Sequence, residues 1–300
     1  MSQPQPSHAD GWRQRIAGAA DFVRRRASGD YPVDESGFDP EFHAALVMPV
    51  LRAIYQQWFR VRMRGLENVP ASGPALVVAN HSGVLPFDAV MLQAGLLDEH
   101  PSHRHLRLLG ADLVYAIPGL SGLARKSGNV RARPDEAERL LGAGELVGVF
   151  PEGFKGIGKP YSERYRLQRF GRGGFAATAM HARVPIIPCA IVGAEEIYPM
   201  IGNAGSLARM LRLPYFPVTP LFPWLGPLGA IPLPSDWIIE FSPPVPTAGY
   251  QAAAGPEAAG PQAAAGRGDP AAVAELSDTV RDIIQRRLDQ LVLERGQAFT

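Results

Sequence analysis

A histidine and an aspartate in the segment VVANHSGVLPFDAVML, residues 77–92, are the side chains best suited to acid–base chemistry. An apolar run typical of a buried strand ends just before His81. Pro86 and Phe87 indicate a helix start, which places Asp88 in the first turn, folded back towards the strand end. A histidine held by a carboxylate on one ring nitrogen presents the other nitrogen as a base. The alternative is that His81 satisfies loop hydrogen bonds while Asp88 caps the helix.

A second segment, VGVFPEGFKGIGKPYSERYRLQRFGRGGF at residues 147–175, combines glycines with cations, among them Lys155. Exposed amides and cations together bind phosphate, particularly where a glycine turn opens a helix such as 174–183. The alternative is a solvated connection in which the glycines only make turns. The segment KSGNVRARP repeats the pattern upstream, with Arg131 and Arg133 expected on one side of a short strand.

The hydrophobic periodicity predicts an α/β domain that would position these side chains. Strands are predicted in the segments RVRMRG, ALVVAN, LRLLGADLVY, ELVGVF, PIIPCAIVG and WIIEF, with helical patterns at about 87–97, 135–143 and 174–183. Strands alternating with helices predict a mixed, largely parallel sheet flanked by helices. Ligands bind beyond the carboxyl ends of the strands in such domains, where His81 is expected.

An N-terminal helical membrane-association arm is predicted over residues 1–59. Residues 11–26 form a basic amphipathic pattern, which would contact a membrane surface or pack on its own domain. A second helix is predicted after Asp39, and Pro49 is expected to kink it.

The α/β domain is predicted to span residues 60–248. It is followed by an Ala/Gly/Pro linker at 249–268, in which we expect no regular structure. The final amphipathic helix, within 269–300, is predicted to be structural or to contact a partner.

Composition excludes several classes of protein and site. The net charge of +1 gives no reason to expect nucleic acid, and the single cysteine, Cys189, excludes an intramolecular disulfide and suits a reducing compartment. The first ten residues are polar, so we expect no secretory signal. The segment DEHPSHRH has the composition but not the spacing of a metal site, and we predict no metal.

The long uncharged segment 213–235 contains too many prolines to form a membrane-spanning helix. Its aromatic side chains would form a hydrophobic cover over the sheet or a loop that dips into lipid, and we favour the loop.

Four motifs in order resemble those of the glycerophospholipid acyltransferase family, over roughly residues 60–245. They are Asn80-His81 with a following Asp, Gly128-Asn129-Val130-Arg131, Phe150-Pro151-Glu152-Gly153, and Val184-Pro185-Ile186-Ile187-Pro188. The family usually has four residues between His and Asp, whereas six intervene here. The wider loop resembles that of a membrane-associated branch.

The resemblance implies that His81 is the general base on a hydroxyl of a glycerolipid acceptor and that Asp88 orients its ring. The alkoxide would attack the thioester of acyl-CoA or acyl carrier protein directly, so this co-substrate is needed but no cofactor. Arg131, Glu152 and Gly153 match positions that hold the glycerol phosphate or head group. Arg133 and Lys155 are further candidates for the same role.

The expected setting is the cytoplasmic face of a membrane, where a peripheral protein would meet the lipid surface, the glycerolipid acceptor and the thioester donor. Diacylglycerol or a long-chain alcohol is an alternative acceptor. A catalytically idle lipid-binding scaffold is an alternative of another class, supported by the wide loop between His81 and Asp88. A lipid hydrolase is a third possibility, disfavoured because the sequence has no G-x-S-x-G motif.

Overall fold

A seven-stranded sheet forms the centre of the chain in the computed structural model, which describes residues 18, 20–83, 85–210, 215–253 and 269–296. The strands are β1 Arg62–Arg64, β2 Ala75–Ala79, β3 Leu106–Gly110, β4 Val130–Arg131, β5 Leu146–Val149, β6 Ile186–Val192, β7 Gly202–Asn203, β8 Pro217–Val218 and β9 Ile238–Phe241. The sheet order is β1-β9-β6-β2-β5-β3-β4, while β7 and β8 form a separate hairpin. Only the β6–β9 pair in this sheet is antiparallel, which confirms the predicted mixed, largely parallel sheet.

Helices cover both faces of the sheet. They are α1 at residues 20–28, α2 Pro40–Phe42, α3 Met48–Ala53, α4 Phe87–Glu99, α5 Asp112–Ala116, α6 Leu120–Lys126, α7 Pro134–Gly142, α8 Phe154–Ile157, α9 Gly174–Ala182, α10 Gly205–Met210, α11 Ala248–Ala253 and α12 Pro270–Arg295. Short 3₁₀ turns lie at Leu66–Asn68, Tyr161–Glu163, Ala194–Glu196 and Gly226–Ala230. The predicted helices starting near residues 87, 135 and 174 correspond to α4, α7 and α9.

Strand β2 is buried on both faces because its side chains alternate between two cores. Leu76 and Val78 belong to the core under α7, α9 and α12, whereas Val77 belongs to the core on the α4 side. A strand enclosed in this way has little freedom to move. The residue that follows its carboxyl end is therefore held firmly.

The predicted N-terminal arm differs from the structure. Helices α2 and α3 are joined and extended by π-helical turns at His43–Val47 and Ile54–Trp58, and the buried Met48 and Tyr55 pack into the same core as α4. Residues 40–58 thus contribute to the core of the domain. Pro49 lies in the first turn of α3, directly after a π turn, rather than at an isolated kink.

Part of the basic helix near the N-terminus is bound to its own domain. Arg26 of α1 forms a salt bridge with the buried Asp39, and Arg25 forms salt bridges with Asp21 and Glu41. The apolar residues Trp12 and Ile16 of the predicted helix lie outside the described residues.

Two other boundaries also differ from the sequence prediction. Helix α11 occupies Ala248–Ala253, so the described start of the expected linker is helical. Strand β4 ends at Arg131, and Arg133 is the N-cap of α7, because Pro134 favours an extended residue before it and a helix after it. The C-terminal helix α12 is structural, since its apolar face, including Leu276 and Leu288, belongs to the core beside β6.

Candidate active site

His81 lies in the first loop after β2, at the carboxyl edge of the sheet. The preceding Asn80 is fully buried, and its side-chain amide donates to the carbonyl oxygen of Ile191 at 2.9 Å and accepts from the Ile191 N–H at 2.7 Å. Because Ile191 is in β6, the Asn80 side chain adds two hydrogen bonds to those that already join β2 and β6. This clamp sets where the main chain of His81 begins.

Asp88 meets His81 across the wide loop. Its Oδ2 lies 2.6 Å from Nδ1 of His81, and the side chain also accepts the backbone N–H groups of Ser82 and Ala89, both at 2.8 Å. Gly83 has a φ of +82°, a conformation open to glycine that turns the chain back towards α4. Six intervening residues therefore leave the His–Asp pair in contact.

The contact defines the chemistry that the imidazole can perform. A carboxylate only accepts, so Nδ1 of His81 carries the proton and Nε2 carries the lone pair of a base. Burial lowers the pKa of His81, but the charge and hydrogen bond of Asp88 outweigh it, and the pKa lies above 6.5. The side chain is 17% exposed, so a substrate hydroxyl can approach it.

Glu152 supports the other side of the His81 loop. Its Oε1 accepts the backbone N–H of His81 at 2.9 Å, and its Oε2 accepts that of Gln168 at 2.7 Å. The ring of Phe150 packs against the imidazole at a centroid distance of 4.7 Å. Since Glu152 is only 3% exposed and its bonds go to the main chain, the structure places it beneath the loop, where it positions the backbone.

A buried ion pair continues from Glu152. Lys159 Nζ lies 3.6 Å from Glu152 Oε2 and donates to Glu195 Oε1 at 3.0 Å, and all three side chains are at most 5% exposed. Burial raises the pKa of Glu195 to about 7 against the opposing charge of Lys159. Lys159 thus joins the two carboxylates that follow β5 and β6.

The other predicted site residues lie at the same edge of the sheet but not beside the imidazole. Arg131 is half-exposed, with its guanidinium 5.5 Å from the Tyr115 ring centroid and 3.5 Å from the Asp112 carboxylate. Strands are spaced about 4.8 Å apart, so β4 lies roughly 14 Å from β2 in the sheet order. Arg133 is exposed at the start of α7.

Gly153 and Lys155 lie nearer to His81 along the sheet. Gly153 has a φ of +55° and precedes α8, where Lys155 is exposed. The structure therefore brings together His81, Asp88 and Glu152, and spreads the predicted cations along the rim.

The structure also adds Lys159 and Glu195 to the site, and it shows that Asn80 of the first motif bonds to β6. Glu195 follows the apolar strand β6 in the same way that Glu152 follows β5. The sequence did not distinguish Lys159, because it is one of several cations in the same loop and no pattern shows which of them is buried.

The fold and the site define an α/β domain with a histidine–aspartate pair at the carboxyl edge of its sheet. Comparison with known proteins gives the family. Residues 60–192 match the family model described as Acyltransferase. An uncharacterized protein of Mycobacterium tuberculosis is 51% identical over 286 residues, which cover 95% of this chain and 76% of that protein. The human "DGAT1/2-independent enzyme synthesizing storage lipids" is 28% identical over 169 residues, which cover 55% of this chain and 51% of that protein.

A solved structure agrees with the fold. The 1-acyl-sn-glycerophosphate (LPA) acyltransferase PlsC from Thermotoga maritima superposes with a TM-score of 0.53 at 19% identity, covering 82% of this chain and 78% of that one. The chain belongs to the same family as the Mycobacterium tuberculosis protein, and its residues 60–192 match the acyltransferase model, as the motifs predicted. The likeness to PlsC, at 19% identity, is one of fold.

Within the described residues, none of the helices combines the length and the apolar character that crossing a bilayer requires.

Proposed function

We propose that this acyltransferase moves a fatty acyl chain from a thioester donor to a hydroxyl group of a glycerolipid acceptor. The observation that carries the proposal is the 2.6 Å contact between His81 Nδ1 and Asp88, which leaves Nε2 as a base on a side chain that is 17% exposed. A lipid-binding scaffold would not need this tautomer. The wide loop, which favoured a scaffold, does not separate the pair.

The reaction needs one proton transfer in each direction. Nε2 of His81 takes the hydroxyl proton as the acceptor oxygen attacks the thioester carbonyl carbon. The tetrahedral intermediate then collapses to an ester, and the departing thiolate takes the proton from the imidazolium. Asp88 holds the ring throughout and stabilises its charged form.

A covalent acyl-enzyme is not part of the proposal. Cys189 is fully buried in β6, and burial raises the pKa of its thiol, so it is not a thiolate at neutral pH. Direct transfer to the acceptor fits a site whose reactive group is a single imidazole.

The acceptor is proposed to be glycerol phosphate or a lysophospholipid, with Arg131 as the residue that binds the phosphate. A guanidinium matches a phosphate with two parallel hydrogen bonds, and Arg131 lies at the same carboxyl edge as His81. Diacylglycerol or a long-chain alcohol is the second candidate. The partial similarity to the storage-lipid enzyme favours it.

The site is proposed to work at a membrane surface, on its cytoplasmic face. The connection from β6 to β9 leaves and re-enters the sheet at the carboxyl edge, where Val192 pairs with Ile238. It exposes large apolar side chains, including Ile201 at 67%, Trp224 at 72% and Leu228 at 64%. Exposed apolar side chains on a connection that begins and ends at this edge suit a peripheral protein whose substrates lie in a bilayer.

An acceptor panel tests the proposal. The full-length protein would be incubated with labelled acyl-CoA and, separately, with glycerol 3-phosphate, lysophosphatidate, other lysophospholipids and diacylglycerol, and products identified by mass spectrometry. We expect an ester from a phosphorylated acceptor, and Arg131→Gln should raise the Michaelis constant for it. An ester from diacylglycerol alone would support the second candidate, and no ester from any acceptor would contradict acyl transfer.

A further inference from the structure

Lys159 is a buried cation that the proposed proton transfer does not use. Its side chain is 3% exposed, and its Nζ lies 3.6 Å from Glu152 Oε2. The same atom donates to Glu195 Oε1 at 3.0 Å and to the carbonyl oxygen of Arg166 at 3.2 Å. Burying an ammonium group is unfavourable unless close partners compensate for the lost water. The partners of Lys159 therefore indicate its role.

Three segments of the chain meet at Lys159. Glu152 follows β5, Glu195 follows β6, and the carbonyl group that Nζ binds belongs to the loop before α9. The carboxylate of Glu195 also accepts the backbone N–H of Tyr165, in the same loop, at 3.0 Å. Two buried carboxylates repel each other unless a cation lies between them. Lys159 therefore fixes Glu152 and Glu195 relative to each other and to the loop.

The position of Glu152 is passed directly to His81. Its Oε1 accepts the His81 N–H at 2.9 Å. Helix α8 packs closely against both residues, since a Cβ added to Gly156 would lie 2.7 Å from the Cβ of Glu152 and 3.0 Å from the carbonyl oxygen of His81. Close packing transmits a displacement rather than absorbing it. A shift of the Glu152 side chain should therefore shift the backbone that carries the imidazole.

The charges around the imidazole come from three elements. Burial and the charge of Lys159, in the loop after α8, lower the pKa of His81. Asp88 of α4 and Glu152 after β5 raise it. Loss of the ammonium group should therefore affect His81 in the opposite direction to loss of either carboxylate.

We infer that Lys159 is a positioning residue: by tying Glu152 to Glu195, it sets the place of the His81 backbone and balances the charge that the imidazole faces. The inference rests on the proposed function, because it assigns a role in the action of that base. Lys159 acts through Glu152 and through its charge. Lys159→Arg, which keeps the charge, should therefore retain more activity than a neutral substitution does.

An NMR titration of the His81 ring in the full-length protein tests the inference without turnover, with His81→Ala used to assign the signals. The variant Lys159→Met/Glu195→Gln removes the buried cation together with its carboxylate partner. Glu195→Gln is the matched control, because it breaks the same ion pair and keeps the cation. We expect His81 to titrate at a higher pH in the double variant than in this control. Equal titration in the two variants would overturn the inference.

A second neutral variant keeps the test available if methionine destabilises the fold. In Lys159→Gln/Glu195→Gln the two amides can hydrogen-bond to each other, so the buried polar groups remain paired while the charge is lost. His81 should again titrate at a higher pH than in Glu195→Gln. An unmoved titration in this folded variant would likewise overturn the inference.

Turnover provides the second measurement. A displaced base slows the chemical step more than it weakens substrate binding, so kcat of Lys159→Met/Glu195→Gln should be at least about tenfold below that of Glu195→Gln, with KM within about twofold. A loss confined to KM would contradict a positioning role. A raised titration of His81 without ester formation by any of these proteins would contradict the proposed function and leave this inference standing. Ester formation by the unmodified protein, with His81 titrating equally in every variant, would do the reverse.

Discussion

Glu152 bonds to His81 through the main chain, while Asp88 bonds to it through the ring. The first contact is 2.9 Å from the His81 N–H to Glu152 Oε1, and the second is 2.6 Å from Nδ1 to Asp88 Oδ2. One carboxylate therefore fixes where the residue stands, and the other fixes which ring nitrogen carries the proton. The two acids should respond differently to substitution.

Replacing Asp88 by Asn should remove most of the activity. The asparagine amide is uncharged and presents an NH₂ donor as well as an oxygen, so it no longer fixes the ring tautomer, and we expect kcat/KM to fall by about 10²–10⁴. The charge of Asp88 raises the pKa of His81, and because the base must be neutral to act, the acid limb of the pH profile should move to lower pH in the variant. Profiles of kcat/KM against pH for both proteins provide the measurement; an unmoved limb with full activity would show that Asp88 is not the partner.

Replacing Glu152 by Gln should have a smaller effect on the same profile. The amide can accept one backbone N–H but not both, so one buried donor is left unpaired, at a cost of about 1–3 kcal/mol in the free energy of unfolding. The negative charge of Glu152 also raises the pKa of His81, so its loss should move the acid limb to lower pH. Urea unfolding measures the loss of stability, and the profile of kcat/KM against pH measures the shift of the acid limb. Unchanged stability would contradict the buried contacts.

Glu195 should make stability depend on pH. Its pKa in the folded protein is about 7, above its ordinary 4.5, so the folded state holds a proton that the unfolded state has lost between these values. The protonated carboxyl of Glu195 therefore adds to the free energy of unfolding below about pH 4.5, and this stabilisation is lost as pH rises through 7. It amounts to at most about 3 kcal/mol. Glu195→Gln should flatten the decline in the unfolding free energy across this window, measured in urea at several pH values. An identical decline in both proteins would argue against the buried carboxyl.

The C-terminal helix should be necessary for stability. Leu288 of α12 is fully buried in the core beside β6, so Leu288→Ala should lower the unfolding free energy by about 2–5 kcal/mol. Leu293, on the same helix, is 83% exposed, and Leu293→Ala should change it by less than about 0.5 kcal/mol. Similar effects of the two substitutions would mean that α12 is not packed as described.

The exposed apolar side chains of the connection from β6 to β9 should determine vesicle binding. Trp224→Ala/Leu228→Ala removes two of its most exposed side chains, and we expect partitioning into anionic vesicles to fall at least about tenfold in a sedimentation assay. Leu293→Ala is the control, because it removes an exposed leucine of α12. Equal partitioning of all these proteins would contradict docking through this segment.

The sheet and the His–Asp pair were predictable because both depend on local patterns. Apolar runs of strand length bounded by turns gave β2, β5 and β6, and the Pro-Phe pair before Asp88 gave the start of α4. A residue after a buried strand and a residue in the first turn of the next helix come close whenever the loop turns back. Gly83 permits that turn here.

The rest depends on contacts between segments far apart in the chain. The positional role of Glu152 requires Gln168 and Lys159 to meet it, and the Arg26–Asp39 salt bridge requires α1 to fold against the start of α2. Exposure is equally non-local, since Lys159 is buried and Arg164 exposed in one loop with similar side chains. The spacing of residues in the sequence indicates neither the contacts between distant segments nor the exposure of each side chain.

The central claim is that the imidazole of His81 removes a proton from the acceptor hydroxyl. Its most direct test is the rate of ester formation from labelled acyl-CoA and an accepted glycerolipid by the unmodified protein and by His81→Ala, with circular dichroism and urea unfolding as checks of the fold. We expect the variant to fold and to form the ester at a rate that is lower by a factor of at least about 10². A folded His81→Ala protein that forms the ester at the original rate would contradict it.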